Sequence, residues 1–449
     1  MRHFLTGICL LLFYTYTPAQ PPTQSTTQST TQPSTAAKNT AIVKVIKAAR
    51  LFEPSEGTVT ENVLILVDHD TVKAIGKDIP IPDSAQVIDL SQSTVLPGLI
   101  DCHTHLTAQP SGDYYADIFR KTAVDDAILA PTFALRTLLA GFTTCRDVGS
   151  RGPVDVALRN AINAHYIPGP RLFVATLFIG STGSHGDLNG FSPYLDFKDG
   201  PKELSGVANG VDGVRQQVRL NVKYGADVIK FGASAGVLTE EESVGAPQYT
   251  QEEMNAIVDE AHLWERKTAA HAHGTLAIKM AVKPGVASIE HGSMLDDEAI
   301  RMMKDRGTYL VADIYNDDYI LSEYAKLGFP EKIINKEKLV GQVQRASFHK
   351  AVLAGVKIAF GTDAGVYPHG WNAKQFYYLV KYGLTPMQAI RAATCNAADL
   401  IGNTRIGSLK PGSFADIIAV TADPLKDIKS LENVSFVMKG GEVYKNENK

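Results

Sequence analysis

Apolar positions between residues 41 and 95 fall in short runs, AIVKVIKAARLF, NVLILVDHDTVKAIG and AQVIDL, separated by turn residues. Runs of that length and spacing predict the strands of a small sheet. Residues 405–449 have the same character, in IGSLKPGSFADIIAV and VSFVMKGGEVY. The middle of the chain is different. Short apolar segments, among them GFTTCRDVG, RLFVATLFI, ADVIKFGAS, KTAAHAHG, VASIEHGS, TYLVADIY and KIAFGTDAG, alternate with helix-like stretches. One such stretch opens at Thr250, a capping residue with Glu253 three positions later, and carries an apolar stripe of Met254, Ile257, Val258 and Ala261. Strand–helix alternation over residues 96–404 predicts an α/β fold, a (β/α)8 TIM barrel. The matching ends predict one β-sandwich domain built from both termini, 41–95 with 405–449, with the barrel inserted between them. A doubly wound open sheet fits less well, because no glycine-rich phosphate loop follows the first strand of the middle region.

The first residues read as something other than fold. Arg2 and His3 precede an apolar run from Phe4 to Tyr14, and Thr17-Pro18-Ala19-Gln20 follows. That order predicts a signal peptide over residues 1–19 and an exported protein, periplasmic or secreted. The run is short for a stable membrane span. Ile8, in front of Cys9, is too bulky for the usual lipid-attachment pattern. Residues 20–40 repeat Thr, Gln, Ser and Pro and predict a disordered linker.

Composition adds exclusions. With 44 basic and 48 acidic residues the formal charge is −4, and no long basic run is present, so a nucleic-acid partner is not expected. Beyond the leader the cysteines are Cys102, Cys145 and Cys395, scattered in apolar contexts. They are read as buried free thiols, not a disulfide framework.

Chemistry enters at LPGLIDCHTHL, residues 96–106. Alternate residues of a strand face the same way, so His103 and His105 address one space. A barrel gathers its reactive groups at the C-terminal ends of its strands. The other strand ends then contribute Lys230 from ADVIKFGAS, His271 and the like-facing His273 from AAHAHG, His291 from SIEHG and Asp363 from FGTDAG. Lysine is the odd member, because an ammonium has no lone pair for a cation. A neutral amine can react with carbon dioxide, and a carbamylated Lys230 would offer two oxygens able to bridge two ions. Imidazole and oxygen donors suit Zn²⁺ first, with Mn²⁺, Co²⁺ and Fe²⁺ also compatible. His185, in the glycine-rich loop GSTGSHGD, Tyr249 after the fourth strand and Tyr315 ending the seventh complete the set of candidate substrate-binding residues with His273. Tyr249 is also a candidate donor to a developing oxyanion. Arg146 and Asp147 are read as a structural pair.

Together, LPGLIDCHTHL, VIKFGASAGV, AAHAHG, SIEHGS and GTDAG resemble the amidohydrolase superfamily over about residues 41–445. The resemblance is nearest to a prolidase-like branch of Xaa-Pro and Xaa-Arg/Lys dipeptidases that includes ochratoxin-hydrolysing amidases. It implies two divalent metal ions. His103, His105, Lys230 and Asp363 would hold the more buried one, and carbamylated Lys230, His271 and His291 the other, with a hydroxide between them. It implies that Asp363 moves the proton from the nucleophile to the leaving nitrogen. The implied activity is cleavage of an amide bond in a dipeptide, an N-acyl amino acid or an ochratoxin-type amide. Lactone, cyclic-amide or phosphotriester hydrolysis, and deamination, are the alternatives on the same scaffold. Lys230 argues against deamination, since mononuclear relatives lack the bridging lysine. The segment DHDTVKAIG departs from the family's usual pattern in the N-terminal β-region, far from these residues. A small-molecule or dipeptide substrate is the implied partner, and relatives often form homo-oligomers.

Overall fold

In the first strands a two-residue period buries one face. Val63, Ile65 and Val67 are buried, and Leu64 and Leu66 between them are half-buried. The structure, a computed structural model, describes residues 43–447 apart from 193, 195–203, 240 and 242. The expected signal peptide and linker lie outside the described residues. Four strands open the described chain: β1 (Lys44–Glu53), β2 (Thr58–Asp68), β3 (Thr71–Gly76) and β4 (Gln86–Pro97). β5 (Leu99–Thr104), β6 (Phe142–Asp147) and β7 (Arg171–Val174) form a parallel three-stranded sheet. β8 (Val228–Gly232), β9 (Lys267–Ala272), β10 (Ser288–His291) and β11 (Tyr309–Val311) form a parallel four-stranded sheet. Three strands close the chain: β12 (Ile417–Val420), β13 (Phe436–Lys439) and β14 (Glu442–Asn446).

The opening and closing strands share one seven-stranded sheet in the order β14-β13-β12-β4-β1-β2-β3. Its pairs are antiparallel except β1 with β4. β3 meets the segment before β12 through a bridge from Thr71 to Phe414, and the sheet carries a core that includes Ile46, Ile65, Ile417 and Phe436.

The parallel strands of the middle region are buried on both sides; β5 and β6 have no exposed residue. That is the pattern of a sheet covered by helices. The helix Gln251–Leu263 shows how. Thr250 accepts from the Glu253 backbone in a capping box, and Met254, Ile257, Val258 and Ala261 are buried. The result is a TIM-barrel-like α/β arrangement beside a β-rich region. Bridges from Ile179 to Phe231, Leu310 to Ile358 and Thr104 to Ala364 join the two parallel sheets through the segments that follow β7 and β11. The expected eighth strand, KIAFGTDAG, is therefore a bridged segment, not a regular strand. Gly361 has no room for a Cβ, which would lie 2.2 Å from Val311 Cγ1 and 2.9 Å from His103 Cβ, and Asp363 leaves the extended region with φ 56°. Among the described residues no helix is long and apolar enough to cross a membrane.

Candidate metal centre

At the end of β5, His103 and His105 reach the same carboxylate. His103 Nε2 lies 3.4 Å and His105 Nε2 3.3 Å from Asp363 Oδ1. His105 Nδ1 is 2.8 Å from the Gly149 carbonyl, so it carries the proton and leaves Nε2 a lone pair. Burial lowers the basicity of His105, but the hydrogen bond and charge of Asp363 outweigh it and raise the group's pKa overall. Burial alone would raise the Asp363 carboxyl; His103 and His105 overcome it and hold the group well below the usual carboxylate range.

From β9 and β10 come three more imidazoles. Ring centroids of His271 and His273 are 4.8 Å apart, His271 and His291 4.6 Å, and His273 and His291 4.7 Å. Donor atoms of His271, His273 and His291 lie within 4.8 Å of one another, as do those of His103, His291 and Asp363. The shared His291 makes the two groups one cluster. Its backbone is left-handed at φ 67°, as is that of Asp363 at 56°. Non-glycine residues in that region cost on the order of 1–3 kcal/mol each and concentrate at functional sites. Burial, reinforced by neighbouring cationic groups, drives His103, His271 and His273 well below the ordinary histidine pKa, so their rings are neutral donors. His271 Nε2 is fully buried without a hydrogen-bond partner among the described residues, an orphan that a cation would satisfy.

Lys230, on β8, is buried, and burial lowers its pKa to about 8. It makes no ion pair among the described residues. Its Nζ faces His103 Nε2 at 3.4 Å, a contact that gives one of the two nitrogens a proton to share. A carbamate there would add its oxygens to that of Asp363, so the donor set fits divalent ions. His185 stacks on His271 with centroids 4.1 Å apart and lines the same cavity, of about 560 Å³.

Several residues that hold this cluster are absent from the sequence reading. Glu290 Oε2 lies 2.9 Å from His103 Nδ1, though not aligned for a hydrogen bond, and Arg146 donates to Glu290 Oε1 at 2.7 Å. Arg146 also donates to the Cys102 carbonyl, while Asp147 accepts from the Leu106 amide, so the two do not form the expected pair. Asp313 Oδ1 is 3.0 Å from His291 Nδ1 and accepts from Gln344 at 2.8 Å; Asn316 donates to Asp313 Oδ2 at 2.6 Å. Carboxylates behind ligating imidazoles fix ring orientation and raise basicity.

Two expectations are corrected. Tyr249 does not face the cavity. Its hydroxyl donates to the Ala208 carbonyl at 2.9 Å and its ring belongs to the main apolar core. Tyr315 packs against Tyr367 and Tyr378 instead, because the chain leaves β11 at Val311 and turns through Asp313–Asn316, which presents Asn316 to the site. Cys102 and Cys145 are buried and Cys395 is half-buried, all as free thiols.

Fold and donor set define a class: an α/β protein with buried imidazoles and carboxylates converging in one cavity at the strand ends. The chain belongs to the amidohydrolase family, whose sequence profile matches residues 94–444. Ochratoxinase from Aspergillus niger is 32% identical over 434 residues, covering 91% of this chain and 88% of that protein. The solved structure of that ochratoxinase superposes with a TM-score of 0.80 at 29% identity, over 91% of this chain and 96% of the other. A Xaa-Pro dipeptidase with bound methionine in its active site gives a TM-score of 0.85 at 40% identity, over 90% of this chain and 100% of the other.

Proposed function

We propose that the protein is an exported amidohydrolase that uses two divalent metal ions, Zn²⁺ foremost, to cleave an amide bond of a dipeptide or N-acyl amino acid. In this reading residues 96–404 form a closed (β/α)8 barrel, and 41–95 with 405–449 a single β-domain. His103, His105, Lys230 as its carbamate, and Asp363 would hold one ion, and the same carbamate with His271 and His291 the other. The observation that carries the reading is the cluster of buried imidazoles around an anionic Asp363, with a buried Lys230 beside it that makes no ion pair among the described residues. The ochratoxinase and dipeptidase relatives support the choice of amides.

Bound there, divalent ions would bring water towards neutral pKa and polarise a carbonyl. The chain's own residues supply the rest. Asp363, held anionic, is within reach of both His103 and His105 and can accept a proton from water and return it to the departing nitrogen. His185 and His273 line the cavity next to His271 and are the groups available to orient a substrate. The cavity is of ordinary small-ligand size.

A library of dipeptides and N-acyl amino acids incubated with Zn²⁺-loaded protein tests the activity. Release of free amino acids is expected, and its absence for every amide overturns the substrate class. Elemental analysis distinguishes the deaminase alternative, for which one ion per chain is expected in place of two. Export is tested by N-terminal sequencing of the mature protein, with a start near residue 20 expected.

A further inference from the structure

His185 is seated by the loop that follows β8. Its backbone amide donates to Gln248 Oε1 at 2.9 Å, and its ring Nδ1 lies 3.1 Å from Thr239 Oγ1. Gly236, early in the loop, lies against the rings of His185 and His271 with no room for a Cβ. Those two rings stack with centroids 4.1 Å apart. With Nδ1 engaged by the loop, Nε2 is the His185 nitrogen left for a substrate.

The loop in turn is held from far along the chain. Its base is closed on itself, by Ala235 donating to the Ala246 carbonyl at 2.9 Å and Gly245 to the Ala235 carbonyl at 3.1 Å. Beyond the base, three carbonyls turn to one point. Those of Gly236, Thr239 and Glu241 accept from Lys336 Nζ at 3.0, 2.7 and 2.9 Å. An ammonium has three donors, so the set matches it in number. Carbonyl oxygens repel one another when they converge, and a cation among them removes the penalty, as in the carbonyl rings that coordinate ions. Lys336 is 6% exposed and belongs to the helix Glu331–Ala354, 100 residues from Gly236 in sequence.

That helix is fixed to the metal centre by its later turns. Gln344 donates to Asp313 Oδ1 at 2.8 Å, behind His291, and Ser347 accepts from the Leu295 amide at 3.1 Å. Arg345 pairs with Asp317 at 2.9 Å and Asp318 at 2.8 Å. One element therefore meets the segments after β10 and β11 directly, and meets the loop over His185 through a single ammonium.

We propose that Lys336 is a positioning residue that acts through His185: its ammonium supplies the charge around which the loop 236–241 closes, and so sets where the imidazole stands in the cavity. The consequence for turnover rests on the amide-hydrolase reading above; the placement of the ring does not.

The test begins with Lys336→Met, which keeps the stem and removes the charge, alone and combined with His185→Asn. In Zn²⁺-loaded protein acting on an amide, Lys336→Met is expected to lower kcat/KM about 100-fold, the cost of a misplaced group, and to leave the metal content unchanged by elemental analysis. In the His185→Asn background the same substitution should cost less than about twofold, because the residue it acts through is gone. Equal costs in the two backgrounds overturn the proposal. Rescue adds a readout that damage to the fold does not imitate. In Lys336→Ala, n-propylammonium replaces the missing stem and charge and should restore activity, where 1-propanol, of similar shape without the charge, should not. Restoration by both, or by neither, overturns the proposal.

The ring is followed without turnover by its Cε1–H NMR signal, assigned through its loss in His185→Asn. It should shift in Lys336→Met, and in Lys336→Ala it should return on addition of n-propylammonium. Amide cleavage with an unmoved signal leaves the enzyme reading standing and removes the positioning role. A signal displaced and rescued in this way, with no amide cleaved, does the reverse. Melting of each variant alongside wild type establishes that it is folded. Should Lys336→Met not fold, Thr239→Val takes its place, since it removes the hydroxyl facing His185 and leaves the helix intact; an unmoved His185 signal there overturns the proposal as well.

Discussion

Glu290 and His291 are neighbours in the chain and serve different partners in space. Glu290 backs His103, while His291, with its left-handed backbone, joins His271 and His273. The strand alternation that made His103 and His105 readable as a pair therefore cannot reveal Glu290, because φ breaks the period at the next residue. Asp313 escaped for a related reason, sitting in the turn after β11 where alternation has ended. Both carboxylates act through imidazoles, which gives a direct expectation. Glu290→Gln and Asp313→Asn should each weaken metal binding about 10–100-fold, measured by competition with a chromophoric chelator; unchanged affinity would remove these groups from the centre. In the proposed two-ion centre, Lys230→Met should reduce the bound metal measured by elemental analysis below two ions per chain, since a thioether cannot form the carbamate proposed to bridge them. Two ions retained in that variant would leave the bridge without a role.

At the scale of elements, the segment after β8 folds against the imidazoles. Lys336 gives its protons to three carbonyls between residues 236 and 241, and Gly236 packs where any side chain would collide. A Cβ there would lie 2.4 Å from His185 Cε1 and 2.9 Å from His271 Nε2. Gly236→Ala should displace both rings, and misplacement of about 1 Å in a reacting geometry costs on the order of 100-fold in rate. Steady-state kinetics with metal content measured in parallel check this; wild-type kcat/KM in the alanine variant would show that the loop has room to move. The regular elements were legible in advance. The capping box at Thr250 and its apolar stripe sit on the expected helix, and the strand ends carrying His103, Lys230, His271 and His291 were found from composition and spacing. Tyr249 and Tyr315 were misjudged because each lies beyond a strand, in chain whose direction depends on tertiary packing and not on a local period. The last strand before the closing sheet lost its regularity for a legible reason, two glycines flanking an aspartate.

At the scale of the whole molecule, folding concentrates groups that would each prefer water. Glu337 sets a pH dependence. Its folded carboxyl titrates near 8 against an ordinary value of 4.5, so the protonated form is favoured by folding. That contribution is fully present below pH 4.5 and is lost as pH rises through 8. The melting temperature of Glu337→Gln relative to wild type should accordingly climb between those limits, and a constant difference across the range would mean the carboxyl is solvated or paired. The metal centre makes the larger demand. His103, His271, His273 and Lys230 are buried in one cluster, and among the described residues His271 Nε2 has nothing to bond. Divalent ions held by this arrangement in the folded state would have no comparable site in the unfolded chain, and would add RT ln(1 + [L]/Kd) to stability, about 4 kcal/mol at a thousandfold excess over Kd. Exhaustive chelation should therefore lower the melting temperature. Readdition of Zn²⁺ with bicarbonate should restore it, and Zn²⁺ without bicarbonate only in part, because the oxygens of the proposed carbamate would come from carbon dioxide. A melting curve that ignores chelator and metal alike would mean that the imidazoles pack against each other for their own sake, and the hydrolase reading would lose its chemical basis.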